Sequence, residues 1–163
     1  MGDIVMDIKN PKIEGDCAIQ GHEKKIMIES ISWGATASVA TTGHGSGQTF
    51  GGTALGDIVL TKHADASSPK LFNHCANGKE IEEIEIMILA SGKNMNQPIM
   101  TYKLSGVLVS GLSTGGGGGD GYLQETVSLA VRKMEMNYRQ LDENGNFIDN
   151  FPATYDLKVM QAQ

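Results

Sequence analysis

Cysteine is scarce in this sequence. Only Cys17 and Cys75 carry thiols among 163 residues. They stand far apart, which argues against a disulfide framework and suits a reduced compartment. Basic charge is also short. Lys and Arg number 13 against 19 Asp and Glu, a net charge of -6. A broad phosphate-binding surface is therefore not expected, nor nucleic acid as a partner. The N-terminus has no unbroken apolar core, since Asp3 and Asp7 interrupt it, and it does not read as a secretory signal. Met6 stands where a myristoylation motif beginning at Gly2 needs Ser or Thr. Residues 30–56 lack Asp, Glu, Lys and Arg altogether, but Gly, Ser, Thr and Ala dominate them, so they do not form an apolar membrane span. Synthesis in the cytoplasm without stable membrane insertion is expected, and any export proceeds without a cleaved signal.

Hydrophobic residues make up 40% and charged residues 20%, an ordinary globular mix, and the length suits one domain spanning 1–163. The organising stretch is 107–130. Its flanks, 103–112 and 125–131, are rich in Val and Leu; Val127, Leu129 and Val131 alternate with Ser128 and Ala130, the period of a half-buried strand. Between them stand Gly115, Gly116, Gly117, Gly118 and Gly119, then Asp120 and Gly121. No helix survives that run, because ordering glycine costs the most backbone entropy. Composition favours a solvated hairpin tip over a docking loop there.

Further strands are expected at 4–8, 25–33, 35–41, 55–61, 81–90, 98–112, 125–138 and 151–160, with turns at Gly15-Asp16 and 142–145. In 25–33, alternation puts Met27, Ile31 and Trp33 on one face and Ile26, Ile28, Ser30 and Ser32 on the other. Trp33 belongs in or at the edge of the core; Ser30 and Ser32 then face solvent or a lumen. Residues 42–52 read as a second, uncharged Gly-rich loop, and such loops usually have a function. The one helix covers about 67–77: Ser68 can cap, Pro69 suits the first turn, Gly78 follows the last. Leu71, Phe72 and Cys75 form its apolar stripe. The apolar phase changes between Val131 and Met134, predicting a β-bulge near Arg132-Lys133. Pro152 marks the last strand as an edge. These elements predict a mainly β fold, a barrel or sandwich of two antiparallel sheets with one flanking helix.

The chemistry-bearing residues form no obvious constellation. His74 and Cys75 are adjacent on the helix and project apart, and no Cys-x-x-Cys or His-Glu-x-x-His occurs, so no metal is expected. The glycine run lacks the Lys-Ser/Thr of a phosphate loop, and Asp142-x-Asn144 has its glycine too early for a calcium loop. Asp65, Glu82, Glu83 and Glu85 read as solvated charges. No catalytic residue and no cofactor are expected.

Three stretches carry a resemblance: SISWGA at 30–35, LTKHADASSPKLFNHCANGK at 60–79, and VLVSGLSTGGGGGDGYLQETVSLA at 107–130. Together they resemble the haemolysin-coregulated protein (Hcp) family of bacterial type VI secretion. The turn Ile13-Glu14-Gly15-Asp16 fits too, with Asp16 where the family has Glu. The resemblance implies a β-barrel with a flanking helix, homohexameric rings stacked into an inner tube, and a surrounding contractile sheath. It also implies a spike protein at the tip, secreted effectors as cargo, and expulsion from the cell. On that basis Ser30 and Ser32 are expected to face the lumen and cargo. Gly43, His44, Gly45, Ser46, Gly47, Gln48, Thr49 and Phe50 are expected to form a ring-stacking loop, and Gly115 to Asp120 an assembly loop. The uncharged loops and exposed strand edges independently favour assembly.

Two other readings remain open on the residues alone. A tail-tube protein of a contractile phage-like injection particle would share the fold but not the partners. A small-ligand β-barrel would be a monomer with an apolar interior pocket.

Overall fold

The computed structural model describes residues 2–41, 47–92 and 96–157. Eleven strands and one helix follow in order: β1 (Ile4–Asn10), β2 (Lys12–Ile13), β3 (Ile26–Ile28), β4 (Ser30–Ser32), β5 (Ala35–Thr41), β6 (Gln48–Leu55), β7 (Ile58–His63), α1 (Ser68–Asn77), β8 (Ile81–Leu89), β9 (Pro98–Gly115), β10 (Gln124–Leu141) and β11 (Phe147–Asp156). All recorded pairings are antiparallel. They form a nine-stranded sheet with the path β2-β1-β8-β9-β10-β7-β4, to which β11 adds on β10 and β3 on β1, and a separate β5-β6 hairpin.

The segment 26–32 closes the large sheet. β3 pairs with β1 at one end of the path, while β4 pairs with β7 at the other. Between them the Glu29 amide donates to the Thr61 carbonyl at 2.7 Å. The expected single strand 25–33 is therefore two strands that change partners. The change also shifts the side-chain phase. Glu29 and Ser30 are both exposed, so Ile26 and Ile28 lie in the core, and so do Ile31 and Trp33 at its edge. Ser30 and Ser32 do face away from Trp33, but not beside Ile26 and Ile28. Trp33 meets Tyr102 edge-on, ring centroids 5.9 Å apart.

The interior is filled by side chains from every strand of the large sheet except β2's Lys12 and β11, led by Ile8, Ile58, Leu60, Ile84, Ile86 and Leu104. Burying each such side chain is worth about 1.5–3 kcal/mol. A smaller cluster of Val5, Cys17, Met87 and Leu89, with Ile19 against it, lies on the other face of β1 and β8. Residues 14–25 cover it. Gly15 makes no turn there: its amide donates to the Lys24 carbonyl. A Cβ at this position would stand 2.7 Å from Asp65 Oδ2 and 2.9 Å from the Lys25 carbonyl oxygen, so glycine is needed for space.

The apolar phase changes in three neighbouring strands along one line. Buried positions run Ile81 then Ile84 in β8, Leu104 then Val107 in β9, and Leu129 then Met134 in β10. Ladder pairing skips Glu82, Gly106 and Arg132 together. The predicted phase change near Arg132 is present, but the partner strands share it, so no register shift accompanies it. The register shift in this pair lies between Ser128 and Leu129 instead, where Ser110 is left out of the ladder. Gly106 adopts φ 62 and faces the Arg132 side chain, a backbone state other residues reach only at a cost.

Helix α1 has Ser67 as N-cap without a side-chain capping bond, Pro69 in the first turn and left-handed Gly78 at its end. Ser68 does not cap; its hydroxyl serves the buried cluster described below. Leu71 is buried and Cys75 half-buried, whereas Phe72 is 62% exposed. The apolar stripe is thus narrower than expected. β11 is an edge strand, pairing only with β10, but begins at Phe147 and carries Pro152 mid-strand opposite Asn137. In the preceding turn Asp142 accepts bonds from the Asn144 and Asn146 amides at 2.8 Å. The backbone and side chain of Asn146 hold its carboxyl below the usual range.

Candidate functional site

The ladder registers assemble a surface that no single strand displays. Across β4, β7, β10 and β9, Ser30 aligns with Thr61, Thr126 and Ser113. The next row on the same face holds Ser32, Val59, Ser128 and Gly111. Strand alternation puts these residues opposite Leu60, Val127 and Leu112, which lie in or against the core. Ser30 Oγ and Thr61 Oγ1 are hydrogen-bonded at 2.5 Å. The result is an uncharged, hydroxyl-rich face of small side chains. Sequence reasoning found Ser30 and Ser32 but not their neighbours, because alignment across strands is a tertiary fact.

The β5-β6 hairpin is the second candidate surface. Every residue of β5 is exposed, and neither strand carries an acidic or basic side chain. Val39 pairs with Phe50, and both are more than half exposed. Among the described residues the hairpin is held by Gly56 N–H to the Gly34 carbonyl at 2.9 Å, by Tyr155 O–H to the Thr53 carbonyl at 3.1 Å, and by Leu55 packed against the core. Of the expected stacking loop, Gln48, Thr49 and Phe50 are strand residues rather than loop, as are Gly51 and Gly52. Gly47 precedes them, and Gly43, His44, Gly45 and Ser46 lie outside the described residues.

The glycine run divides. Gly115 still pairs with Gln124 at the end of β9. Beyond it Asp120 closes a small turn: Gly117 N–H donates to Asp120 Oδ2 at 2.8 Å, and Asp120 N–H to the Gly117 carbonyl at 3.1 Å. Tyr122 stacks on His63 at 3.8 Å, and the Leu123 carbonyl accepts the Ala64 amide. His63 also contacts Glu29, which Gln124 Nε2 reaches at 2.9 Å. The tip is bonded both internally and to the end of β7.

A buried polar cluster went unpredicted. Lys62 is fully buried and Glu125 nearly so. Lys62 Nζ lies 2.9 Å from Glu125 Oε2, 3.0 Å from Asp65 Oδ1 and 2.9 Å from the His63 carbonyl oxygen. Ser68 Oγ donates to Glu125 Oε2 at 2.8 Å and accepts the Asp65 amide at 3.0 Å. The Ser67 amide donates to Asp65 Oδ1 at 2.9 Å. Asp65 is thus not a solvated charge. Glu85 also departs from that expectation, pairing with Lys9; this hydrogen bond foremost holds the Lys9 ammonium above its usual range. Lys62 and Glu125 continue the inward phases of Ile58-Leu60 and Val127-Leu129, and opposite charges on two inward phases were the available signal. The cluster ties β7, α1 and β10 together and, being satisfied and enclosed, serves the fold.

The letters Gly-x-Ser-x-Gly occur at Gly111 to Gly115. Ser113 sits inside β9, paired with Thr126, without the strand-to-helix turn a nucleophile needs. No group of three potential metal ligands occurs among the described residues.

Comparison with known proteins agrees with this architecture. A family profile described as "Type VI secretion system effector, Hcp" matches residues 5–138. Protein hcp1 of Pseudomonas aeruginosa is 31% identical over 105 residues, which are 64% of this chain and 64% of that protein, just under two thirds of its length. Among solved structures, Hcp1 from Salmonella typhimurium has a TM-score of 0.76 at 25% identity, covering 98% of each chain. A structure described as a type six secretion system protein reaches 0.90 at 23% identity, again over 98% of both chains, and supports the fold. The family consists of structural tube proteins rather than enzymes. With its profile spanning most of the sequence, the chain belongs to the Hcp family of type VI secretion.

Proposed function

We propose that this chain is a ring-forming subunit of the inner tube of a type VI secretion apparatus. Six copies would form a ring, and stacked rings would form the tube. A contractile sheath would expel it from the cytoplasm, tipped by a spike and loaded with effectors. The observation that carries the reading is the β5-β6 hairpin, whose strands are uncharged, pair with each other and are exposed throughout β5 and over Gln48 to Gly51 of β6. An isolated two-stranded hairpin is marginal in water, and a neighbouring copy supplies the missing packing. The Gly115 to Asp120 turn is a second contact in this reading.

Phe50→Asp combined with Val39→Asp is expected to abolish the stacking of rings into tubes. Each apolar side chain contributes about 1.5–3 kcal/mol per contact, and a buried unpaired carboxylate opposes docking further. Size-exclusion chromatography with light scattering and negative-stain microscopy check this. Stacked rings in the variant would remove the hairpin's role, whereas an unmodified protein that stays monomeric at high concentration would remove the ring itself.

The hydroxyl face is the lumen wall in this reading. Small side chains without charge leave passing cargo no strong anchor, while Ser and Thr still offer hydrogen bonds. Ser32→Gln is expected to lower the amount of effector copurifying with rings while leaving the rings whole. Unchanged effector recovery would place cargo elsewhere.

A further inference from the structure

Residues 14–25 form a strap across the outer face of β1 and β8, independent of the surfaces assigned above. Its ends are stitched by Gly15 N–H to the Lys24 carbonyl at 2.8 Å, Lys24 N–H to the Cys17 carbonyl at 2.9 Å, and Cys17 N–H to the Lys25 carbonyl at 3.0 Å. Beneath it lie Val5, Met87 and Leu89, with the Cys17 thiol buried among them. At its far end the strap grips the chain ahead of β9. Asn96 Nδ2 donates to the Gln20 carbonyl at 2.9 Å, and His22 Nε2 stands 2.9 Å from the Asn96 carbonyl oxygen.

His22 is only 7% exposed, and Lys25 Nζ lies 3.0 Å from its Nδ1. An ammonium group can only donate, so Nδ1 must accept. The Asn96 carbonyl can only accept, so Nε2 must carry the hydrogen. Both contacts are made together by one species, the neutral ring with its proton on Nε2. A second proton, on Nδ1, would point at the Lys25 ammonium and replace a hydrogen bond with a like-charge contact. Among the described residues Glu23 is a further charged group near the ring; its carboxylate accepts from the Gly21 amide at 3.1 Å and is fully solvated. It offsets Lys25 only weakly through water. Val5, Met87 and Leu89 beneath the strap are apolar, and the Asp65 carboxylate meets the strap at Gly15. Lys24, within the strap, holds φ 63, a left-handed state that costs a non-glycine residue energy and is retained only while the surroundings enforce it.

We propose that the strap is an acid-released latch. Neutral His22 closes it; a second proton on the ring pushes His22 from Lys25 and Asn96, Lys24 relaxes, and the strap lifts, drawing Cys17 away from Val5, Met87 and Leu89.

Amide hydrogen exchange on the whole protein tests this, with protection factors corrected for intrinsic exchange. Between about pH 7.5 and about 5.5, protection of the Cys17 and Lys24 amides is expected to fall on the order of tenfold, as in local opening. The Ile86 amide in β8 should hold its protection. His22→Gln should abolish the pH dependence, and Lys25→Met, which removes the opposing ammonium, should reduce it. A second readout needs no substitution: ¹⁵N signals of the His22 ring at the higher pH should show the proton on Nε2. An Nδ1 proton there, an unmodified strap indifferent to pH, a loss shared equally by β8, or a pH response that persists in His22→Gln would each overturn the latch.

Discussion

Replacing Lys62 with alanine is expected to lower the unfolding free energy by about 3–5 kcal/mol, the range for breaking a buried ion pair from one side. That is a large part of the roughly 5–15 kcal/mol that keeps a domain folded. Lys62 is fully buried and touches Glu125, Asp65, Ser68 and the His63 carbonyl. Its removal leaves Glu125 and Asp65 enclosed without the cation between them. The double variant Lys62→Met, Glu125→Leu should lose less than Lys62→Ala alone, because it removes one of the stranded charges and refills the volume. Asp65 then keeps the bond from the Ser67 amide. Urea unfolding midpoints at fixed protein concentration measure the difference. A double variant less stable than the single one would show that the ion pair itself, rather than the cost of orphaning a charge, dominates.

Leu71→Ala is expected to cost about 2–5 kcal/mol, and Phe72→Ala to stay within about 0.5 kcal/mol of the unmodified protein. Leu71 is the buried anchor of α1, whereas its neighbour is 62% exposed. The alanine at 71 would leave a cavity between helix and sheet in a site bounded by strands that cannot readily collapse. Equal losses in the two variants would mean that the helix presents a different face to the barrel. The same unfolding measurement settles both.

The contrast between Leu71 and Phe72 shows what was legible. Ser67 to Gly78 announces a helix through its Pro, its Gly and its spacing, and α1 forms there. Which apolar residue the helix buries depends on the sheet beneath it. Likewise Ile84, Ile86 and Ile88 announce β8, and the Pro, Asp and Gly positions of 142–152 announce the turn before β11 and its place at the edge. The phase change near Arg132 is real, but no register shift accompanies it. One strand cannot reveal, however, that β8 and β9 change phase on the same line. The uncharged run 42–52 read as a loop, yet β6 already begins at Gln48; small polar residues carry little strand signal until a partner strand supplies the ladder.

By itself the sequence determined the β class, the helix at Ser68–Asn77 and the family. Each of these is written in neighbouring residues: side-chain periodicity, cap and turn chemistry, and contiguous motifs. Only the tertiary structure decided that 26–32 closes the barrel, that Lys62 and Glu125 meet from 63 residues apart, and that Ser30, Thr61, Thr126 and Ser113 share one row. The physical reason is that strand pairing is a relation between distant segments. Its register is chosen by what both strands bury together, and neither strand states that alone.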